Sequence, residues 1–445
     1  MKNVVTEIPH DICVGCGACV GACPMQHLAI EYNDINQWEV KEKANPCSDK
    51  CSICTNICPF SNDSCNEDIL GQDLYKNVEG IRHKAECGYY LNSYVGYHSN
   101  QDLRMKSASG GITSMVIAHL LDTNKIDAAI VAGRRDGEKP YYASTLVRSS
   151  DEVYQCSRSA YYAIHIGKTL REVITDKSIT SVAIVALPCL CKAIRNACKV
   201  NAILRKKVKY VIGIVCGQQK SHNFAEYLGK KNGLENLTSI DFRTKKPGRP
   251  NGNYGVKLKN GRTEKEITFT EFSDEWSSKL FTVQACNYCD DIFAETADIV
   301  VMDAWLPEYK NSDKGETLII TRNAELDSLI KSIPTVQEIG IERVLQSQLS
   351  VINNKRSAIT VALKQLKKRG IALSKREYLY NAPSILQLPL YRVKYTNSVK
   401  SDKIWNDANQ NIATFEKLMK KYKTVLFLGL ILNKIDTIIC RLRNR

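Results

Sequence analysis

CVGCGACVGACP, residues 13–24, decides the fold of the N-terminal part of this chain. Its four cysteines follow the spacing Cys-x2-Cys-x2-Cys-x3-Cys-Pro, and a second run at residues 47–59 follows Cys-x3-Cys-x2-Cys-x3-Cys-Pro. Thiolates at this spacing can each bind one iron of an iron–sulfur cube, and Gly15, Gly17 and Gly21 permit the tight turns between them. The two runs therefore predict a small fold held together by two [4Fe–4S] clusters.

Each run resembles the ligand run of two-cluster ferredoxins, in which the fourth cysteine binds the cluster of the other run. Structural zinc is the alternative, because closely spaced cysteines also bind Zn²⁺; two consecutive runs that both end in Cys-Pro favour the clusters. The extra residue between Cys47 and Cys51 makes the second run less regular, and Cys65 is either a substitute ligand or a bystander. The resemblance implies two ligand sets: Cys13, Cys16, Cys19 and Cys58, and Cys47, Cys51, Cys54 and Cys23.

Composition indicates a globular protein of two or three domains, since the chain has 445 residues of which 44% are apolar. It contains 18 cysteines, but no apolar signal-peptide segment precedes Cys13, so we expect a reducing, cytoplasmic environment. The longest apolar run, VLFLGLIL at residues 425–432, is too short to span a bilayer, although it could lie on one.

The net charge of +15 is confined to the C-terminal region. Residues 351–445 contain 20 Lys and Arg against 5 Asp and Glu, so the rest of the chain is neutral. This distribution argues against a nucleic-acid groove across the body and favours a docking or membrane-surface role for the tail. Basic residues flank the apolar run, which would favour contact with the inner membrane surface; a helix packed on the body with solvated charges is the alternative. The flanking residues are Lys420, Lys421, Lys423, Arg441, Arg443 and Arg445.

Residues 85–340 alternate helix-like stretches with short apolar runs, which is typical of an α/β domain. Helices are predicted at Ile112–Leu121 and Phe224–Lys230. Length and β-branched content predict buried strands at Ala128–Ala132, Val182–Leu187 and Tyr210–Val215. The fold expected for the whole chain is an α+β ferredoxin-like domain at 1–80, this α/β domain at 85–340, and a mainly helical basic tail at 345–445.

Four further cysteines lie in suggestive contexts. Cys189 and Cys216 each follow a predicted strand, and Cys286 and Cys289 form a Cys-x2-Cys pair. Ligands of open α/β sheets gather at the carboxyl ends of strands, so the three segments could converge on a third cluster. Spacing alone leaves this open, because buried cysteines are also common in protein cores.

Six motifs in order resemble the beta subunits of coenzyme F-420 hydrogenases and dehydrogenases. The resemblance covers about three quarters of the chain, including the cysteine-rich N-terminal extension, Cys58-Pro59-Phe60-Ser61 and Asn66-Glu67. The motifs are Ser107–Gly111, Leu187–Cys189, Gly213–Gly217, Phe242–Gly248, Cys286–Cys289 and Ala297–Asp303.

The resemblance implies FAD and one further [4Fe–4S] cluster in this region, with Cys189, Cys216, Cys286 and Cys289 as its ligands. The sequence also departs from the family pattern. Leu187 and Leu190 flank Pro188-Cys189 where the family has Thr and Gln, and Met302 replaces a common Gly.

A flavin pyrophosphate would suit the loop Ser109-Gly110-Gly111, which precedes an apolar helix whose N-terminal amides attract anions. A serine N-cap with flexible glycines is the alternative. Solvated surface charge is likewise the alternative for each basic residue near these motifs. The candidate contacts are Ser107, Ser109, Gly110, Gly111, Arg158, Arg243 and Lys245, with Lys106 and Lys246 beside them.

A flavin beside clusters would divide the two electrons of a hydride donor between one-electron acceptors. We therefore predict an FAD- and iron–sulfur-dependent oxidoreductase that uses reduced coenzyme F-420 or a similar donor and docks on a redox partner protein. The alternatives are a ferredoxin-linked reductase of a small molecule, such as a sugar-linked intermediate, and a non-enzymatic electron-transfer subunit. No catalytic acid or base is assigned.

Overall fold

The computed structural model describes residues 3–443 apart from 49, 138, 374–375, 377–379 and 381. The strands are β1 Leu28–Tyr32, β2 Trp38–Glu42, β3 Arg82–Lys84, β4 Gly88–Tyr90, β5 Ser93–Gly96, β6 Ala128–Arg134, β7 Tyr142–Val147, β8 Val182–Ala186, β9 Val208–Ile214, β10 Ser239–Thr244, β11 Gly255–Lys259, β12 Glu264–Thr268, β13 Ile299–Asp303, β14 Thr317–Thr321 and β15 Val336–Glu338. The helices are α1 Val4–Glu7, α2 Ala18–Ala22, α3 Ile53–Ile57, α4 Glu67–Tyr75, α5 Gln101–Lys106, α6 Ile112–Asp122, α7 Ser150–Gln155, α8 Gly167–Thr175, α9 Pro188–Val200, α10 Ala202–Lys207, α11 His222–Lys231, α12 Ser273–Ser277, α13 Ala324–Ser332, α14 Ile341–Lys368, α15 Leu388–Asp407 and α16 Ile412–Arg443.

An eight-stranded sheet in the order β15-β5-β14-β13-β9-β8-β6-β7 organises the body. Its four central strands, β13, β9, β8 and β6, are parallel, and the outer strands pair antiparallel. The central strands are almost continuously apolar because helices or loops cover both of their faces. The three predicted strands are confirmed as β6, β8 and β9, and the two predicted helices as α6 and α11. The expectation of an α/β body is therefore confirmed as a mixed α/β fold.

A smaller antiparallel sheet, β10-β11-β12, lies beside this body. Its apolar residues share an aromatic core with α11 and with the start of α16, which contributes Phe415 and Met419. The register shifts between Phe242 and Thr244 in β10, and at this irregularity Arg243 has a φ of 64°. The small sheet thereby directs one buried arginine toward the main sheet.

The cysteine-rich N-terminal segment packs directly on the body. Gly21 of α2 lies so close to α8 that a Cβ there would stand 2.8 Å from the Gly167 carbonyl oxygen. The indole Nε1 of Trp38 donates a hydrogen bond to the Ala163 carbonyl at 3.0 Å. Cysteines of both N-terminal runs belong to the same core as the central strands, so the segment is held in a fixed place relative to the sheet.

Three long helices form the C-terminal region. α14 crosses the body, and α15 and α16 pack against each other, with Gly429 against the backbone of Leu390. Within the described residues, none of the helices combines the length and the apolar character needed to cross a bilayer.

Candidate functional site

The structure brings the first predicted ligand set together. Cys19 lies on α2 and Cys58 at the end of α3, and the two helices pack on each other. Burial raises the pKa of Cys19, and the neighbouring thiols of Cys16, Cys58 and Cys13 raise it further. Burial raises the pKa of Cys58 as well, with Cys13 and Cys16 among the neighbours that add to the rise. These thiols from two separate runs are therefore near enough to raise one another's pKa, and Cys54 of the second set also acts on Cys19.

The second set also assembles across the two runs. Desolvation raises the pKa of Cys47, and the neighbouring Cys51 and Cys23 thiols add to it. Burial, Cys51 and Cys23 act in the same direction on the pKa of Cys54. The three residues between Cys47 and Cys51 include Asp49, which lies outside the described residues. The Cys65 backbone amide donates to the Asn196 side chain on α9 at 3.1 Å, and a ligand role for its thiol stays a prediction.

A third group of cysteines lines a small cavity at the carboxyl ends of β8 and β9. Cys189 is the second residue of α9, which follows β8 after Leu187, and Cys216 follows β9. Cys286 and Cys289 come from the turn at Gln284–Tyr288 and the residue after it, ahead of β13. All four cysteines line the cavity together with Gln218, Gln219 and Lys355. The three segments thus converge as the strand argument predicted.

The donor chemistry of the three groups fits iron–sulfur clusters. Each group offers four thiols, and the third surrounds a cavity rather than filling it. The Gln219 backbone amide donates to the Cys286 sulfur at 3.4 Å and the Val4 amide to the Cys54 sulfur at 3.3 Å, and such hydrogen bonds stabilise thiolate ligands. Among the residues that the structure describes, no three His, Cys, Asp or Glu side chains are placed to hold a single metal ion.

The third group lies next to the first. Burial raises the pKa of Cys189, and Cys16 of the N-terminal segment contributes to that rise along with Cys289 and Cys216. Val14 of the first run and Phe60, which directly follows the second run, line the third cavity. The first and third groups are therefore neighbours across the interface between the N-terminal segment and the sheet.

The predicted flavin loop is the start of α6. Gly111 is the N-cap with a φ of 87°, and no side chain caps the helix there. The Ser109 hydroxyl donates instead to the Glu316 carbonyl at 2.7 Å, and the Ser107 hydroxyl to the Leu103 carbonyl at 2.8 Å. Gly110 is packed so closely that a Cβ would meet the Gly96 carbonyl oxygen at 2.6 Å. The serines are thus engaged elsewhere, and among the residues that the structure describes no side chain accepts a hydrogen bond from the first amides of α6.

Arg243 approaches the same loop from the small sheet. It is 2% exposed and donates to both carboxylate oxygens of Asp303, at 2.9 and 2.6 Å. It also donates to the Ala108 carbonyl at 2.9 Å and stacks on the ring of Tyr254. Its charge is therefore compensated within the chain, and its role here is to hold the loop.

The other predicted basic contacts are also engaged. Lys245 donates to carbonyls of Arg104, Ser109 and Lys314, while burial, with Arg243 close by, lowers its pKa to about 7. Arg158 pairs with Asp241 and donates to the Lys106 carbonyl at 3.1 Å. Lys246 pairs with Glu266. Lys245 is the one of these that touches the loop itself.

Sequence reasoning missed Lys355, which lines the third cavity from α14. No motif marked it, because it lies on a long helix among other lysines. It also missed that Asp303, which it had noted at the end of a motif, is the partner of Arg243. A carboxylate at the end of a buried strand was the available signal.

These features define a class of redox protein: a mixed α/β fold that carries groups of cysteines at the ends of its strands. Two family models match the chain, both describing the beta subunit of coenzyme F-420 hydrogenase/dehydrogenase: its N-terminal part matches residues 93–171, and its C-terminal part matches residues 179–345. Together they cover more than half of the sequence. The chain belongs to this family and is an oxidoreductase of the beta-subunit kind.

Similar proteins extend the comparison to both parts of the chain. One of the subunits of the F(420)H(2) dehydrogenase of Methanosarcina mazei is 23% identical over 355 residues, which are 76% of this chain and 90% of that protein. A ferredoxin of Pyrobaculum islandicum is 43% identical over 54 residues, 12% of this chain and 44% of the ferredoxin. A chain of the F-420-reducing [NiFe] hydrogenase complex of Methanosarcina barkeri shares the fold with a TM-score of 0.50 and 16% identity, covering 66% of this chain and 98% of that one.

Proposed function

We propose that this protein is an iron–sulfur flavoprotein that passes electrons between a hydride donor, reduced coenzyme F-420 or a similar molecule, and three [4Fe–4S] clusters. The observation that carries the proposal is that the first and third cysteine groups are neighbours: Val14 and Phe60 of the N-terminal segment line the third cavity, and Cys16 lies near enough to raise the pKa of Cys189. A chain of clusters conducts electrons only where neighbouring clusters are close. The relatives named as coenzyme F-420 enzymes support the choice of donor.

Each cysteine group would hold one cluster. The first is Cys13, Cys16, Cys19 and Cys58, the second Cys47, Cys51, Cys54 and Cys23, and the third Cys189, Cys216, Cys286 and Cys289. Backbone amides that donate to the sulfurs, such as those of Val4 and Gln219, favour the charged thiolates. The order of the groups would make the N-terminal segment, 1–80, the route to a redox partner protein and 85–340 the flavin and donor domain.

The flavin phosphates would bind at the N-terminus of α6. Its uncapped amides and its dipole favour an anion. Arg243 and Lys245 hold Ala108 and Ser109 from behind, so the loop keeps its backbone amides in place. FAD, when bound, would allow a two-electron donor to supply one-electron acceptors.

The test is anaerobic purification of the full chain with iron, sulfide and flavin quantitation, followed by oxidation assays with reduced F-420, NADH and NADPH. We expect FAD and three clusters, and oxidation of F-420 in preference to the nicotinamides. A protein with clusters but no flavin would contradict the proposal. Activity with external reduced ferredoxin alone would instead favour a ferredoxin-linked reductase.

Two neighbouring cysteines give a matched pair of variants for the third cluster. Cys189 lines the cavity, whereas the buried Cys191 sulfur faces the Ala186 carbonyl at 3.5 Å. Cys189→Ser should lose about one third of the bound iron and the electron transfer from donor to N-terminal clusters. Cys191→Ser should retain both. Equal iron content in the two variants would exclude Cys189 as a ligand.

A further inference from the structure

A buried lysine from outside the matched family region lies against the third cysteine group. Lys355 belongs to α14, ten residues beyond the end of the C-terminal family match at residue 345. Its side chain is 6% exposed and lines the cavity with the four cysteines.

The contacts of Lys355 account for all of its donors. Its Nζ lies 3.4 Å from the Cys289 sulfur, 3.1 Å from the Cys216 carbonyl oxygen and 2.6 Å from the Asp291 carbonyl oxygen. An ammonium group has three N–H donors, so these three acceptors specify the charged form. Among the described residues, no carboxylate lies within ion-pair distance of this ammonium group.

The first group has a buried lysine too, but its charge is compensated. Lys192 lies near Cys58, and its ammonium is paired with the Glu67 carboxylate at 3.2 Å, both side chains being at most 10% exposed. Other cations near the third group act on Cys286: burial raises its pKa, while Lys355, Lys279 and Lys220 oppose the rise. Asp290 and Asp291 act on Cys289 in the opposite direction. Among the described residues, Lys355 is nevertheless the ammonium group within hydrogen-bond distance of a sulfur of the first or third group.

We propose that Lys355 sets the reduction potential of the third cluster and raises it above that of the first. This inference rests on the proposed function, since it requires a cluster at Cys189, Cys216, Cys286 and Cys289. On reduction a cluster gains one electron and therefore one negative charge, which an adjacent ammonium in a low-dielectric site stabilises. A hydrogen bond to a ligand sulfur acts in the same direction.

The higher potential determines which of the two neighbouring clusters holds the first electron. With a higher potential, the third cluster would retain an electron from the flavin side until a second arrives, instead of passing it at once to the first cluster. Lys355 thus acts through its charge on the potential of the third cluster, and it takes no part in making or breaking bonds.

The experiment is an EPR-monitored redox titration of the full, anaerobically purified protein carrying Lys355→Met, Lys355→Gln or Lys355→Arg. Met removes the charge and the hydrogen bonds, Gln removes the charge but keeps N–H donors, and Arg keeps the charge. We expect Met and Gln to lower the potential of one cluster by at least a tenfold change in its reduced-to-oxidised ratio, about 59 mV for one electron. Arg should stay near the wild-type value.

Lys364→Met is the control, because Lys364 is an exposed lysine on the same helix. If all three clusters of the Met and Gln variants titrate as in the wild type, the inference is wrong. If the first cluster shifts instead of the third, it is also wrong. If the wild type shows only two clusters, the proposed function fails before the inference is reached. If the Lys355→Met variant does not bind the third cluster, the potentials of that cluster in the Lys355→Gln and Lys355→Arg variants are compared instead.

Discussion

At the scale of single residues, Gly111 joins the predicted flavin loop to α6 in a conformation that favours glycine. Its φ is 87°, and a Cβ would stand 3.0 Å from the Ser107 hydroxyl oxygen and 3.1 Å from the His98 Cβ. Gly111→Ala should therefore displace the loop and reduce bound flavin several-fold, with iron content unchanged. Flavin released by denaturation and measured against protein by absorbance checks this.

Gly233 supplies the matched control for that variant. It has a φ of 77° and nothing within 4 Å of its Cβ position, so alanine there costs the same backbone strain with no contact at the loop. Gly233→Ala should keep its flavin. Equal flavin loss in both variants would mean that backbone strain, and not the loop, controls binding.

The buried pair of Arg243 and Asp303 makes a second prediction at this scale. Asp303→Asn would leave the guanidinium buried without its carboxylate, which is strongly unfavourable. We expect a loss of about 3 kcal/mol in the free energy of unfolding, measured as a fall in the midpoint of thermal unfolding. Asp136→Asn, which disturbs an exposed pair with Arg134, should leave the midpoint nearly unchanged.

The cysteines could be found from the sequence and the pairing of Arg243 could not. Ligand cysteines are marked by local spacing, because consecutive ligands must reach the same cluster. Arg158, Arg243 and Lys246 were expected to face anionic ligands, but each has a carboxylate partner within the chain. A buried Arg or Lys side chain can be predicted to have an anionic partner. Its residue type does not show whether that partner belongs to a ligand or to a distant part of the same chain.

At the scale of elements, the central strands were predictable and the outer ones were not. β8 and β9 are buried on both faces and form short apolar runs between helices. β10 is wholly buried but contains Asp241 and Arg243, so hydrophobicity alone did not mark it. The small antiparallel sheet and the antiparallel outer strands therefore emerged only from the structure.

One buried carboxylate connects three elements and makes their docking sensitive to pH. Asp402 of α15 accepts hydrogen bonds from Ser221 at 2.5 Å, from Asn223 of α11 at 2.8 Å and from Gln37 of the N-terminal segment at 2.9 Å. Burial raises its pKa to about 6. Between its unfolded value and pH 6 only the folded chain holds the proton, so this group weakens folding as pH rises in that window.

Asp402→Asn should remove that pH dependence. Relative to the wild type, the variant should gain about 1.4 kcal/mol of stability per pH unit up to about pH 6, and nothing further above it. Thermal unfolding of both proteins between about pH 5 and about pH 8 measures the difference. Asp407→Asn on the same helix, where the carboxylate pairs with Lys403 at the surface, is the control and should show no such trend. A constant offset for Asp402→Asn across the range would contradict the assignment.

At the scale of the whole molecule, the N-terminal cysteine segment, the main sheet and α14 share one continuous core. This sharing explains how a small segment with few apolar residues can hold a fixed position beside the third cysteine group. It also explains why the sequence predicted the segments but not their contact. Cys16 and Cys189 are far apart along the chain, and the packing of α2 on α8 and α9, together with that of α3 on α9, brings their surroundings together.

The basic C-terminal helix divides its surface between the body and the outside. Phe415 and Met419 of α16 are buried, whereas Phe427 is 65% exposed and Leu428 54% exposed. The exposed apolar surface of α16 continues through Ile431, Ile435, Ile438 and Leu442. The interpretation of a helix packed on the body thus describes the start of α16, and the contact with a membrane stays a prediction. Arg445 and the side chain of Arg443 lie outside what the structure describes.

An anionic bilayer surface is the occupant that this helix predicts, because its exposed apolar side chains follow Lys420, Lys421 and Lys423 and are interspersed with Lys434 and Arg441. The same positive charge disfavours pairing of two copies.

The protein should float with vesicles of phosphatidylglycerol and phosphatidylcholine but not with phosphatidylcholine alone, and high salt should weaken the binding. The combined change Leu428→Ser, Ile431→Ser and Ile435→Ser should abolish flotation, whereas Leu349→Ser, at an exposed leucine of α14, should not. Flotation unaffected by the triple change would exclude α16 as the contact, and dimerisation lost with it would assign the surface to a second copy.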